Sequence, residues 1–285
     1  MSDVLTIQNG KVVLKTEEGQ SIERPEADLY DMFHREIRPP IDGCALPDGV
    51  KFYEWRDPFF LVVHQHPPFC RSLRWIAPDS PADYGPGAKY RKVRLSIPYA
   101  NTFAMYFCRG GKLLLTGFNE LYFRNEPLRS KCDSLGYPAL LNISAIKTKE
   151  RTRSWICTQH LRNTAEMDWT TQLGNLITHT WDGAFNLSSE RHEGASGYGE
   201  SQGVHPDLHP VERWEEASRK DDAFALSVPW KPAPFTVGEL MNCMFDEIGK
   251  QNHYFPGATP APLKPAGVVQ RFINFAQQKL TGGKA

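Results

Sequence analysis

The chain has no Cys-x-x-Cys anywhere, so its six cysteines offer none of the short-spaced pairs that open a zinc ribbon or a thioredoxin-like redox motif. Cys44, Cys70, Cys108, Cys132, Cys157 and Cys243 are scattered over 285 residues, a length that can build a core without disulfides. A reduced, cytoplasmic setting is therefore expected. No run reaches the roughly 18 apolar residues of a membrane span. The opening MSDVLTIQNG has neither a basic leader nor a continuous apolar signal core, so no membrane partner is expected. Neither sign of charge dominates: 33 basic and 33 acidic residues cancel, and no basic excess asks for a nucleic-acid partner. The glycines form neither standard phosphate-binding fingerprint, which disfavours a doubly wound nucleotide-binding sheet. No internal repeat is visible.

What is present is an ordinary globular composition, 40% apolar and 23% charged, with strands first and helices later. Residues 4–7 and 11–15 flank Asn9-Gly10, a dipeptide that accepts the positive φ of a tight hairpin turn. Residues 25–34 read as a short helix with Pro25 in its first turn. A second hairpin is expected from 50–55 and 59–64, and another strand from 72–76. The centre, 93–157, carries four short apolar stretches at 93–97, 102–108, 112–116 and 120–123. Their short connections favour an antiparallel meander over alternating strands and helices.

Beyond Cys157 the period changes. Trp169, Leu173, Leu176, Ile177 and Trp181 fall on one helical face, and Gly174 weakens that helix without having to break it. Residues 186–210 read as an extended surface loop, 212–221 as a short helix or a charged turn, and 223–228 as a strand. Thr236 followed by Glu239 is a capping-box signal for a helix whose packing face is Val237, Leu240, Met241, Met244, Phe245 and Ile248. A final amphipathic helix is expected at 268–280. The order predicts an α+β fold in three parts: a β-rich region over 1–76, a core over 88–186 and a helical extension over 211–281.

Few residues outside the centre suggest chemistry. His64 and His66 alternate along a strand and could share a side, but no third ligand is evident. His205 and His209 lie in a proline-containing loop, and His192-Glu193 lacks the second histidine of a zinc-hydrolase helix. Neither a metal nor a cofactor is expected. Tyr99, Tyr106 and Phe107 could form a stacking platform, although strand packing explains them more economically. Cys108 ends an apolar strand and reads as buried, whereas Cys132, between Lys131 and Asp133, is an alternative exposed thiol.

The central stretch resembles bacterial ubiquitin-conjugating-like proteins, in particular the family called PRTRC system protein B. The matches are Ile97-Pro98-Tyr99, the meander through Phe123, residues 121–128, Leu140-Leu141-Asn142 and Trp155-Ile156-Cys157, covering roughly 90–185. The resemblance implies a ubiquitin-conjugating-like antiparallel meander, a long crossover and helices after it. It also implies that Cys157 carries a ubiquitin-like protein as a thioester, received from an activating protein, while Asn142 assists. Other proteins of the same plasmid or mobile-element system would then be partners. Leu140-Leu141 stands where the family has His-Pro, Thr158 follows the cysteine in place of leucine, and the spacing from Asn142 to Cys157 is longer.

Those residues suit the implied chemistry. A thiolate exchanges acyl groups, an amide N–H can hold an oxyanion, and His160 is near enough in sequence to be a loop partner. Lys147, Lys149, Arg151 and Arg153 could recognise an acidic carrier or simply keep the crossover solvated. The competing readings are a buried strand cysteine in a catalytically inactive assembly module, and a hydrolase with a Cys–His pair that lacks an orienting acid.

Overall fold

The computed structural model describes residues 4–8, 11–15, 21–25, 46–109, 112–161, 163 and 166–250. It divides the chain into two compact units, Met1–Gly43 with Gln251–Ala285, and Cys44–Lys250.

In the first unit, β1 (Val4–Gln8), β2 (Lys11–Lys15) and β3 (Ser21–Pro25) form an antiparallel meander. Gln8 pairs with Lys11, as a hairpin with a two-residue connection requires. The helix expected at 25–34 lies outside the described residues except for Pro25, which ends β3. The helix expected at 268–280 lies wholly outside them.

The second unit is built on β4 (Val50–Arg56), β5 (Phe59–His66), β6 (Phe69–Ile76), β7 (Tyr90–Ile97), β8 (Tyr99–Arg109) and β9 (Lys112–Arg124). After these come β10 (Ser134–Gly136), β11 (Ile143–Lys147) and β12 (Thr152–Ile156). The main sheet runs β11-β12-β9-β8-β5-β4. Strands of the expected N-terminal region therefore pair directly with the expected core. All six strands in that order pair antiparallel, so the sheet is wider than a four-strand meander, and 93–97 lies outside it. That stretch belongs to β7, which pairs with β6 in a second sheet. Pro98 has no N–H to carry the ladder across from β7 to β8. The edge groups of β7 are met from outside: Ser96 N donates to Ser218 Oγ at 2.9 Å, and Trp214 Nε1 donates to Ser96 O at 3.2 Å.

The stretches 112–116 and 120–123 are one strand with an irregularity, not two. Thr116 Oγ1 donates to Met105 O at 2.8 Å, and Asn119 Oδ1 accepts from Met105 N at 3.1 Å, so side chains replace the ladder bonds lost there. Phe59 to Gln65 are buried without alternation, as a strand covered on both faces should be.

The expected post-cysteine helix is α1 (Trp169–Asp182), capped by Asp168 Oδ1, which accepts from Thr171 N at 2.8 Å. It passes through Gly174 unbroken, and Trp169, Leu173, Leu176 and Trp181 are buried while Ile177 is only partly so. Trp169 meets Phe60 edge-on at 5.6 Å.

The segment expected as a surface loop is more ordered. It holds β13 (Ala184–Phe185), which pairs parallel with β6, and the short helices α2 (Ser188–His192) and α3 (Gly197–Glu200). Buried hydroxyls stabilise it, since Ser144 Oγ meets Ser189 Oγ at 3.0 Å and Ser196 Oγ donates to Glu190 at 2.8 Å. Polar composition read as a loop because the Ser144 partner, 45 residues away, is not visible in the local pattern.

The helix α4 (Val211–Lys220) forms where a helix or a charged turn was open. The stretch 223–228 is a 3-10 turn over Phe224–Leu226, not a strand; strand β14 (Pro232–Thr236) follows and pairs with β10. The helix α5 (Val237–Lys250) starts at the expected capping box: Thr236 N donates to Glu239 Oε2 at 2.8 Å and Glu239 N donates to Thr236 Oγ1 at 3.3 Å. All six residues of its expected packing face are buried.

Candidate functional site

Strands β11 and β12 form a hairpin whose final register pair is Ile143 with Ile156. Asn142 and Cys157 are each the next residue outward, so two positions fifteen residues apart are brought to the same end of one hairpin. That end is gripped by the last turn of α1. Asn142 Nδ2 donates to Thr180 O at 2.7 Å. His179 Nε2 lies 2.9 Å from Cys157 O, and because a carbonyl only accepts, this nitrogen carries the hydrogen. The same logic orients the Asn142 amide, which must turn its nitrogen toward Thr180 O. One Asn142 N–H remains uncommitted, while Oδ1 is buried without a partner.

Cys157 is a half-buried free thiol. His160 is exposed and makes no hydrogen bond or ion pair; it shares the Cys157 loop, but no contact joins the two. His179 was not visible from the sequence as a site residue. A histidine in a last helical turn reads as a favourable charge on the helix dipole, and its approach to Cys157 O depends on how α1 packs.

The basic residues around the hairpin tip divide by exposure. Lys147 and Lys149 are exposed. Arg151 and Arg153 are not available to a carrier and do not solvate the crossover: their side chains are 3% and 10% exposed. Arg151 holds two carboxylates, with Nη1 and Nη2 each 2.6 Å from Glu120, and Nε and Nη2 at 2.7 and 2.8 Å from Glu247 of α5. Arg153 Nε reaches Glu120 Oε1 at 3.1 Å and its guanidinium lies 3.7 Å from the Phe118 ring centre. Tyr122 O–H donates to Glu120 Oε2 at 2.7 Å. Burial alone would push the Glu120 carboxyl up, but hydrogen bonds and charge from Arg151, with Arg153 and Tyr122, bring it below the usual carboxylate range. The sequence signal was a lone glutamate within the apolar run from Phe118 to Phe123, which demands a cation without saying which.

The remaining candidates separate. His64 packs against Gly49, where an added Cβ would lie 2.6 Å from its Nε2, whereas His66 meets Phe69 edge-on at 4.6 Å. Among the described residues no group of three or more His, Cys, Asp or Glu side chains could hold a metal ion. Tyr106 is sealed in the core, its hydroxyl donating to Trp169 O at 3.1 Å, so no stacking platform includes it. Cys132 is exposed and Cys108 is half-buried rather than sealed. No described helix is long and apolar enough to cross a membrane, which says nothing of a β-barrel. The chain matches no protein-family model, no curated protein and no solved structure.

Proposed function

We propose that the chain is a component of a bacterial ubiquitin-like or plasmid-associated system, working in the cytoplasm, in which Cys157 receives a ubiquitin-like protein as a thioester. The observation that carries this reading is the register of β11 and β12, which brings Asn142 and Cys157 to the same hairpin end, where each is bonded to the last turn of α1. The antiparallel main sheet, its β11-β12 hairpin and the helix after it have the generic α+β topology that a ubiquitin-conjugating-like architecture also has.

The step is an exchange of thioesters. The Cys157 thiolate attacks the carrier's carbonyl, a C–S bond to Cys157 forms, and the bond to the activating protein's sulfur breaks. The departing thiolate takes up the proton that Cys157 released. The free Asn142 N–H donates to the oxyanion formed on the way. Incubation with an activating protein, ATP and the ubiquitin-like carrier of the same system should give an adduct that thiols cleave and that Cys157→Ala lacks. Absence of an adduct with that carrier sinks the catalytic reading.

One observation favours a second reading, an inactive protein-binding or assembly module. Asn142 already bonds to Thr180 O, and Asn142 and the Cys157 carbonyl serve as fastenings between hairpin and helix. On that reading, carrier or partner proteins bind without an adduct and Cys157→Ala leaves the binding unchanged.

A further inference from the structure

The opposite face of the hairpin carries an independent feature. Ile143, Ala145, Thr152 and Ser154 share one face, because Ala145 pairs with Ser154 and two-residue steps lead to the others. With Tyr137 and Pro138 they wall a cavity of about 50 Å3. Drug-sized ligands need several hundred Å3, so this one suits a small molecule. Counting roughly 10–15 Å3 of such space for one water, there is room for about three to five heavy atoms. The backing is close-packed: a Cβ on Gly197 would strike the Pro138 carbonyl.

The polar groups around the cavity have an uneven balance. Ser201 Oγ donates to Tyr198 O at 2.7 Å and meets His209 Nε2 at 2.8 Å. Ser144 Oγ is engaged by Ser189 and, at 3.3 Å, by Glu193. Ser154 is 2% exposed, and its hydroxyl is buried with no partner at all. Glu200, which lines the cavity with Lys231, sits between two ammonium groups, Lys231 Nζ at 3.2 Å and, outside the lining, Lys147 Nζ at 3.1 Å. One carboxylate cannot saturate six N–H donors. What remains for a ligand is the buried, unpartnered Ser154 hydroxyl and the half-exposed Lys231 ammonium, which Glu200 only partly satisfies.

We infer that this cavity binds a short-chain carboxylate, its oxygens taken by Lys231 and the Ser154 hydroxyl and its aliphatic stem lying against Ile143, Ala145 and Tyr137. Glu200 then acts as a competing internal carboxylate. The group could be a free acid or the C-terminal residue of a peptide, and the two can be told apart.

The test is an amide-resolved NMR titration of the full chain with sodium propionate at constant ionic strength. Saturable shifts at Ala145, Thr152 and Ser154 are expected, with propanol and propylammonium giving none. Ser154→Ala, which removes only an unpaired hydroxyl, should weaken binding several-fold, and Lys231→Gln about tenfold. Glu200→Gln should tighten it by freeing both lysines, an effect that general disruption of the fold would not produce. N-acetylglycine binding where propionate does not assigns the site to a peptide terminus; propionate binding equally well assigns it to free acids. The inference is overturned if neither carboxylate gives saturable shifts, if propanol binds as well as propionate, or if Glu200→Gln weakens binding.

Discussion

Replacing Arg151 with alanine should be among the most damaging single changes in the second unit. Arg151 makes four charge-assisted hydrogen bonds of 2.6–2.8 Å to two carboxylates, and Glu120 has no exposed side-chain surface. Without Arg151, Glu120 keeps only Arg153 Nε at 3.1 Å and the Tyr122 hydroxyl at 2.7 Å. Breaking a buried pair by removing one partner costs about 3–5 kcal/mol, a large part of the roughly 5–15 kcal/mol that holds an ordinary domain folded. Glu247 adds less to the loss, because its side chain is 12% exposed and can regain water. The double replacement Glu120→Leu with Arg151→Met removes both charges and should be milder than Arg151→Ala alone.

Urea unfolding followed by tryptophan fluorescence and circular dichroism measures both. The reasoning is refuted if Arg151→Ala lies within about 1 kcal/mol of the wild type, or if the double variant is as unstable as the single one. Acid supplies a further check. Glu120 has a lower pKa folded than unfolded, so its contribution is complete above the unfolded value of about 4.3 and is lost as pH falls through the folded value. Wild type should therefore lose stability over that range more steeply than the double variant does.

Other outcomes follow from the same structure. Burial lowers the His64 pKa, with His66 and Lys51 adding to the effect, so its NMR titration midpoint should fall below about 6.5, and stability should decline as pH drops through that midpoint. Gly197→Ala should lower stability by about 1–3 kcal/mol through the clash with the Pro138 carbonyl, measured by thermal unfolding. Leu176→Ala, at a fully buried position, should cost about 2–5 kcal/mol, whereas Ile177→Ala, only partly buried, should cost clearly less; equal losses would contradict the assigned face of α1. His179→Ala should loosen the Cys157 end of the hairpin, speeding amide exchange there while α1 itself stays protected.

Much of the local architecture was legible because its causes are local. Asn9-Gly10, the Thr236–Glu239 box, the apolar face of α5 and the run from Phe59 through Val63 each announce an element through periodicity or turn chemistry. Segments whose order comes from remote partners misread: 186–210 is held by Ser144, and β9 survives its irregularity through Asn119 and Met105. Register and sheet order escaped too, since the strand stretch at 93–97 has the same alternation whether it pairs with β6 or with β8.

The sequence by itself determined the apolar faces of α1 and α5, the capping box that starts α5, and the hairpin around Asn9-Gly10. Only the tertiary structure decided that the cations on Glu120 are Arg151 and Arg153, and that Asn142 and Cys157 lie at the same hairpin end, bonded to Thr180 and His179. Likewise, it alone left the Ser154 hydroxyl unpaired in a cavity that Lys231 and Glu200 also line. The division has a physical cause. Hydrophobic period and capping act over a few residues, whereas pairing of charges and hydroxyls depends on distances in space that chain order does not encode directly.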